Sequence, residues 1–112
     1  MATYSKIVLS GSTDGRGILV DDDATAGKTI HTGSSTATTY DEVWIYAANY
    51  DSSDRKLTIE WGSASAGDII ESTIATEAGL VLVIPGLILK GNASPLVIAA
   101  FAATTSSIQL FG

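Results

Sequence analysis

The chain has 112 residues, no cysteine, and twelve acidic against six basic side chains, for a net charge of −6. This length predicts a single domain over residues 1–112, and the lack of cysteine excludes disulfides and thiolate metal sites. Nucleic acid and anionic membrane surfaces both bind clustered positive charge, so the acidic balance argues against either partner.

Apolar residues make up 46% of the chain. A domain this small has little interior, so part of its apolar surface is expected to contact another subunit or a partner protein. An ordinary core that contains many alanines explains the same composition equally well. The longest apolar run, Gly79–Leu89, is interrupted by Pro85-Gly86 and is too short to span a bilayer.

Alternation of polar and apolar residues predicts strands along the whole chain. In the first segment Ile7 and Leu9 are expected to face inward, and in the last segment Ile108 and Leu110. We count eight or nine strands among ten segments, the second or third being very short, near residues 4–10, 17–21, 28–32, 41–49, 55–61, 67–73, 79–84, 86–90, 95–103 and 106–111.

The segment Lys56–Trp61 has the clearest alternation. Its pattern places Leu57, Ile59 and Trp61 in the core. It leaves Lys56, Thr58 and Glu60 in solvent.

Three predicted strands are apolar on both faces, which requires a cover on both faces. They are Val43–Ala47, Leu80–Ile84 and Leu96–Phe101. In a two-sheet sandwich the outer cover must come from a loop, another subunit or a partner.

Gly- and Asp-rich turns separate the strands, Pro85-Gly86 predicts a tight turn, and Thr73–Ala78 could form one helical turn. The pattern predicts an all-β protein, an antiparallel β-sandwich of eight or nine short strands, with a barrel as the open alternative.

No motif predicts a catalytic residue, a cofactor or a metal. His31 is the single histidine, and alternation with Ile30 places it in solvent, although a hydrolase built on His31 remains an alternative. Asp21–Asp23 is interpreted as a solvated loop because it lacks the spacing of a calcium loop. Glu60 and Glu71 could form an acid/base pair, but surface charge is the favoured interpretation.

Aromatic side chains provide the best candidates for a binding surface. Trp44 and Tyr46 share one strand face and Tyr50 continues their parity, which fits a core, a protein interface or a sugar-stacking platform. The residues predicted for a partner interface are Trp44, Tyr46, Tyr50, Leu87, Leu89 and Phe111.

The order of several segments resembles that of small all-β head-decoration (cement) proteins of tailed bacteriophages. These segments are Lys6–Ser10, Thr25–His31, Asp41–Asn49, Leu57–Gly62, Leu82–Gly91 and Ile98–Ala102.

The resemblance implies a β-sandwich, in some members a jelly roll, that is made in the host cytoplasm and binds the outside of an assembled capsid. It implies the major capsid protein as partner, self-association with a trimer favoured, and no catalytic residues. The alternative function is a carbohydrate-binding module of a phage tail, fibre or adhesin.

Overall fold

The computed structural model describes residues 5–112, which form eight strands and one short 3-10 turn at Ala66–Asp68. The strands are β1 (Ile18–Val20), β2 (Lys28–Thr32), β3 (Tyr40–Asn49), β4 (Arg55–Gly62), β5 (Ile69–Ile74), β6 (Val81–Lys90), β7 (Val97–Ala102) and β8 (Ile108–Phe111). The prediction of an all-β protein with eight or nine strands is confirmed. Across residues 5–112, no helix has the length and apolar character that crossing a membrane requires.

The strands form two four-stranded antiparallel sheets. Their orders are β1-β8-β3-β6 and β2-β7-β4-β5. Every strand in the first half of the chain pairs with its mirror position in the second half: β1 with β8, β2 with β7, β3 with β6 and β4 with β5. The chain therefore follows the path of a long hairpin rolled into a sandwich, which is the connectivity of a jelly roll.

The core lies between the two sheets and is built by side chains that alternate along the strands. In β3, Val43, Ile45 and Ala47 are buried while the residues between them are exposed or half-buried. Ile108 and Leu110 are fully buried on β8, as predicted. The opposite sheet contributes inward side chains from all four of its strands: Ile30, Leu57, Ile59, Ile74, Ile98, Ala100 and Ala102.

The prediction of a strand near residues 4–10 is wrong for residues 5–10, the part of this range that the structure describes. Residues 5–10 lie in irregular structure, and Tyr4 falls outside the described residues. Leu9 is buried as expected, and its N–H donates to the Gly112 carbonyl over 3.3 Å. Ile7, in contrast, is 71% exposed.

The predicted tight turn at Pro85-Gly86 is also wrong, because β6 continues through it. Val43 of β3 pairs with Leu87 of β6, but the next residue, Trp44, pairs with Pro85. Gly86 is therefore the extra residue of a bulge, and its φ is 77°. Because β6 is an edge strand, proline there need not break a ladder between two neighbours. The helical turn considered for Thr73–Ala78 is absent, since β5 continues to Ile74.

Successive connections alternate between the two ends of the sandwich, and one end carries most of the loop charge. Hydrogen bonds join its connections: Tyr50 donates to the Ser107 carbonyl, Glu77 to Asn49 and Ser106 to Val20. The four connections at this acidic end, residues 21–27, 50–54, 75–80 and 103–107, hold six of the twelve carboxylates and no lysine or arginine.

Candidate functional site

The outer surface of sheet β1-β8-β3-β6 carries a continuous group of apolar side chains. Its centre is a row across three strands, in which Tyr46 pairs with Phe111 of β8 and with Leu82 of β6. We call this surface the apolar face; it consists of Leu19, Trp44, Tyr46, Leu82, Ile88 and Phe111. Leu19, Trp44, Leu82 and Ile88 are each between 38% and 52% exposed.

Trp44 is held in a fixed orientation on this face. Its indole Nε1–H donates to Glu42 Oε2 over 3.0 Å. Its ring lies against Gly86, where an added Cβ would be 2.9 Å from Trp44 Cζ2. The glycine bulge therefore provides the space for the indole, while the side chain remains 44% exposed.

The structure brings together three of the six predicted interface residues, Trp44, Tyr46 and Phe111. Tyr50 lies beyond the end of β3, and its hydroxyl donates to the Ser106 carbonyl over 2.5 Å. Leu87 is 42% exposed but pairs with the buried Val43 on the free edge of β6. Leu89 was wrongly predicted, because it is only 3% exposed and belongs to the core.

Large exposed apolar side chains are distributed unequally between the two sheets. Among residues 5–112, those on strands all belong to sheet β1-β8-β3-β6: Leu19, Tyr40, Trp44, Leu82, Leu87 and Ile88. The outer surface of the other sheet carries an exposed ion pair, Lys56 Nζ to Glu71 Oε2 at 2.7 Å. The two outer surfaces therefore differ in chemistry, and the apolar one is suited to contact with another protein.

Glu60 is not in solvent, which corrects its predicted exposure and that of Thr58. Both side chains do point away from the core, but the two residues are only 3% exposed. The β1–β2 connection covers this part of the sheet, and Glu60 accepts hydrogen bonds from Thr25 Oγ1 at 3.0 Å and Gly27 N–H at 2.8 Å. The carboxylate thus fastens a loop, while Glu71 pairs with Lys56 instead of with Glu60.

His31 is buried, which is the second correction to a predicted exposed residue. The β2–β7 register shifts between Thr29 and His31, so Ile30 and His31 are both buried. The imidazole Nδ1 accepts the Ser10 N–H at 3.0 Å, and Nε2 lies 2.8 Å from Asp41 Oδ2. This arrangement requires the Nε2–H tautomer, because Nδ1 must accept.

The surroundings of His31 differ from those of a hydrolase triad. The hydrogen-bond partner of Nδ1 is the backbone N–H of Ser10. The hydroxyl oxygen of Ser10 instead accepts the Thr32 N–H over 2.7 Å. His31 therefore joins three parts of the fold: the segment before β1, β2 and β3.

Several residues of the acidic end have structural partners. Hydrogen bonding from the Ser52 backbone N–H and then from the Arg55 guanidinium lowers the pKa of Asp51. Asp21 lies 3.8 Å from Lys28 Nζ, and the Asp22 carbonyl accepts the Ala102 N–H. Across residues 5–112, no three His, Asp or Glu side chains come together as metal ligands do.

Sequence reasoning did not include Leu19, Leu82 and Ile88 in the candidate interface. The signal for Leu82 was present, because the run Leu80–Ile84 is apolar on both faces. Its outward direction depends on pairing with Tyr46, which alternation within one strand does not show.

Comparisons with protein-family models, curated proteins and solved structures find no match.

Proposed function

We propose that this chain is a non-enzymatic structural protein of a phage virion, which binds the outer surface of the capsid and stabilises it. The observation that supports this proposal is the apolar face, an aromatic and aliphatic surface on one side of a jelly-roll sandwich. The other sheet and the acidic end would remain in solvent after docking. Jelly rolls occur among viral capsid proteins and lectins, so the fold alone does not choose between those functions.

Docking would act through side-chain burial. Removing apolar surface from water contributes roughly 25 cal/mol per Å², and a protein that binds only the assembled shell shifts assembly equilibria toward that shell. Strand addition is a poor alternative for this sheet, because β1 has only three residues and β6 is interrupted by Pro85 and the Gly86 bulge.

The test uses capsids assembled without the protein. Wild-type protein should co-sediment with these capsids and raise their resistance to heat. Leu82→Asp, which places a charge on the apolar face, should weaken binding at least tenfold. The matched control is Thr73→Asp, because Thr73 is an exposed strand residue on the other sheet. Absence of binding by the wild type, or equal effects of the two variants, would contradict the proposal.

A carbohydrate-binding function is the second candidate, supported by the orientation of Trp44. One ring face lies on Gly86, and the partly exposed indole could stack on a sugar ring. A glycan array with wild type and Trp44→Ala decides the matter. Binding that is lost in the variant favours this candidate, and an array without any wild-type signal removes it.

Self-association is part of the proposal, with a trimer favoured. Light scattering of the purified protein over a range of concentrations measures this property independently of capsid binding.

A further inference from the structure

The segment before the first core residue combines exposed apolar side chains with an unused strand pattern. We call residues 5–8 the N-terminal arm. Ile7 is 71% exposed and Val8 is 39% exposed, and the arm forms no strand. β-branched residues in an alternating sequence favour an extended, paired conformation, so the local preference of the arm is not satisfied within one copy of the chain.

A groove of about 1450 Å³ lies beside this arm. We call it the arm groove. The N-terminal arm forms one wall, and the opposite wall consists of residues 38–44, the first half of β3 included, with Ile88 of β6. Tyr40 is 60% exposed and Ile88 is 52% exposed, so this opposite wall offers apolar surface.

The charges of the arm and of the groove are complementary. Lys6 is the one cation in the arm, whereas the opposite wall contributes the carboxylates of Asp41 and Glu42. Asp41 already bonds His31, and Glu42 bonds the Trp44 indole, so both carboxylates are held in place. An entering segment with one lysine and neighbouring β-branched residues would match this wall in both respects.

We propose that the arm groove binds the N-terminal arm of a second copy of this chain. The proposal rests on the self-association part of the proposed function, and it names the segment that makes the contact. Each copy would insert Lys6, Ile7 and Val8 against the β3 wall of its neighbour. A groove and an arm on every copy form a head-to-tail contact, which closes into a ring when the rotation between copies permits.

The anchoring of the arm favours a neighbouring copy over the same copy. Leu9 is buried and bonded to Gly112, and Ser10 is tied to His31 and Thr32. Residues 6–9 contain no glycine, proline, asparagine, aspartate or serine, the residues that most often allow the chain to reverse direction. Residues 6–9 are therefore expected to stay extended as one wall of their own groove, which leaves the space beside residues 38–44 for the arm of a neighbouring copy.

Crosslinking of single-cysteine variants tests the contact directly, since the chain has no cysteine of its own. Ile7→Cys mixed with Ile88→Cys should give a disulfide-linked heterodimer under mild oxidation. Ile7→Cys mixed with Ser52→Cys, at an exposed site of the acidic end, is the control and should give little. An intramolecular disulfide in the Ile7→Cys/Ile88→Cys double variant, without intermolecular product in the mixture, would overturn the proposal.

A charge exchange tests the same contact without crosslinking. Lys6→Glu and Glu42→Lys should each weaken self-association about tenfold, and the double variant should recover most of it. If wild type is monomeric at every concentration, self-association itself fails. If it associates and neither single variant changes the equilibrium, only the arm contact fails, and capsid binding remains a separate measurement.

Discussion

At the residue scale, single polar side chains connect distant parts of this small fold. His31 joins Ser10 to Asp41, and Glu60 holds the loop that contains Thr25 and Gly27. Each of these side chains is buried, so a missing partner would leave a desolvated polar atom. Within residues 5–112 every buried side-chain nitrogen and oxygen has a hydrogen-bond partner. Burial of these residues is therefore compatible with their polarity.

The Asp51 carboxylate gives the unfolding free energy a defined pH dependence. Its pKa is lowered in the folded state, first by the Ser52 backbone N–H and then by Arg55. Because the pKa is lower in the folded state, the carboxylate stabilises the fold fully at pH values above its pKa in the unfolded chain, about 3.9. This stabilisation is lost as the pH falls through the pKa of the folded state. Asp51→Asn should therefore be less stable than wild type at neutral pH, and the difference should narrow below about pH 4.

Urea unfolding of both proteins between neutral and strongly acidic pH measures this difference. A difference that stays constant over the whole range would show that Asp51 contributes independently of its charge.

At the element scale, the Gly86 bulge of β6 positions Trp44 on the apolar face. Gly86 adds one residue opposite β3, and the space above it is occupied by the Trp44 ring. The same bulge, together with Pro85, interrupts the free edge of β6 and so opposes pairing with another strand. One irregularity therefore both positions the aromatic residue and protects the edge.

Gly86→Ala should destabilise the fold by about 1–3 kcal/mol and shift Trp44 fluorescence, because the variant adds backbone strain and a clash with the indole. Gly79→Ala is the matched control: φ is 73° at Gly79, similar to the 77° at Gly86, but an added Cβ meets nothing within 4 Å. The control should lose only the stability that backbone strain costs, and its fluorescence should be unchanged. Equal effects on both stability and fluorescence would contradict the role of the bulge.

At the scale of the whole molecule, the charge of the connections is concentrated at one end of the sandwich. The acidic end concentrates carboxylates, whereas the connections at the opposite end, residues 33–39, 63–68 and 91–96, contain only Asp68 as a charged residue. The apolar face lies along the side of the sandwich. The charge of the acidic end favours solubility, and under the proposed function the apolar face would meet the partner.

Repulsion at the acidic end should make the unfolding free energy rise with salt. Sodium chloride shortens the screening length from about 30 Å at 0.01 M to about 10 Å at 0.1 M. Urea unfolding should show a gain of about 1 kcal/mol or less over that range. The Asp23→Asn/Glu77→Gln variant, which neutralises two exposed groups, should show a smaller gain. A wild type that loses stability with salt would contradict the prediction.

Alternation in the sequence predicted the all-β class, the ranges of most strands and the inward side chains Leu57 and Ile59 of β4 and Ile108 and Leu110 of β8. It failed at His31, Glu60 and Pro85-Gly86 because each depends on another segment: a bulge opposite β7, a covering loop, and an edge position beside β3. Three of the six predicted interface residues, Trp44, Tyr46 and Phe111, lie on one face, because each occupies an outward-facing position of its strand.

Local patterns predicted most of the strand ranges and, where polar and apolar residues alternate clearly as in β4 and β8, the inward side of the strand, because side-chain direction alternates along an extended backbone. The three-dimensional structure was needed to show the jelly-roll pairing, the loop that covers Glu60, and the surface that Leu82, Tyr46 and Phe111 form together. These features depend on contacts between residues far apart in the chain, which local periodicity does not encode.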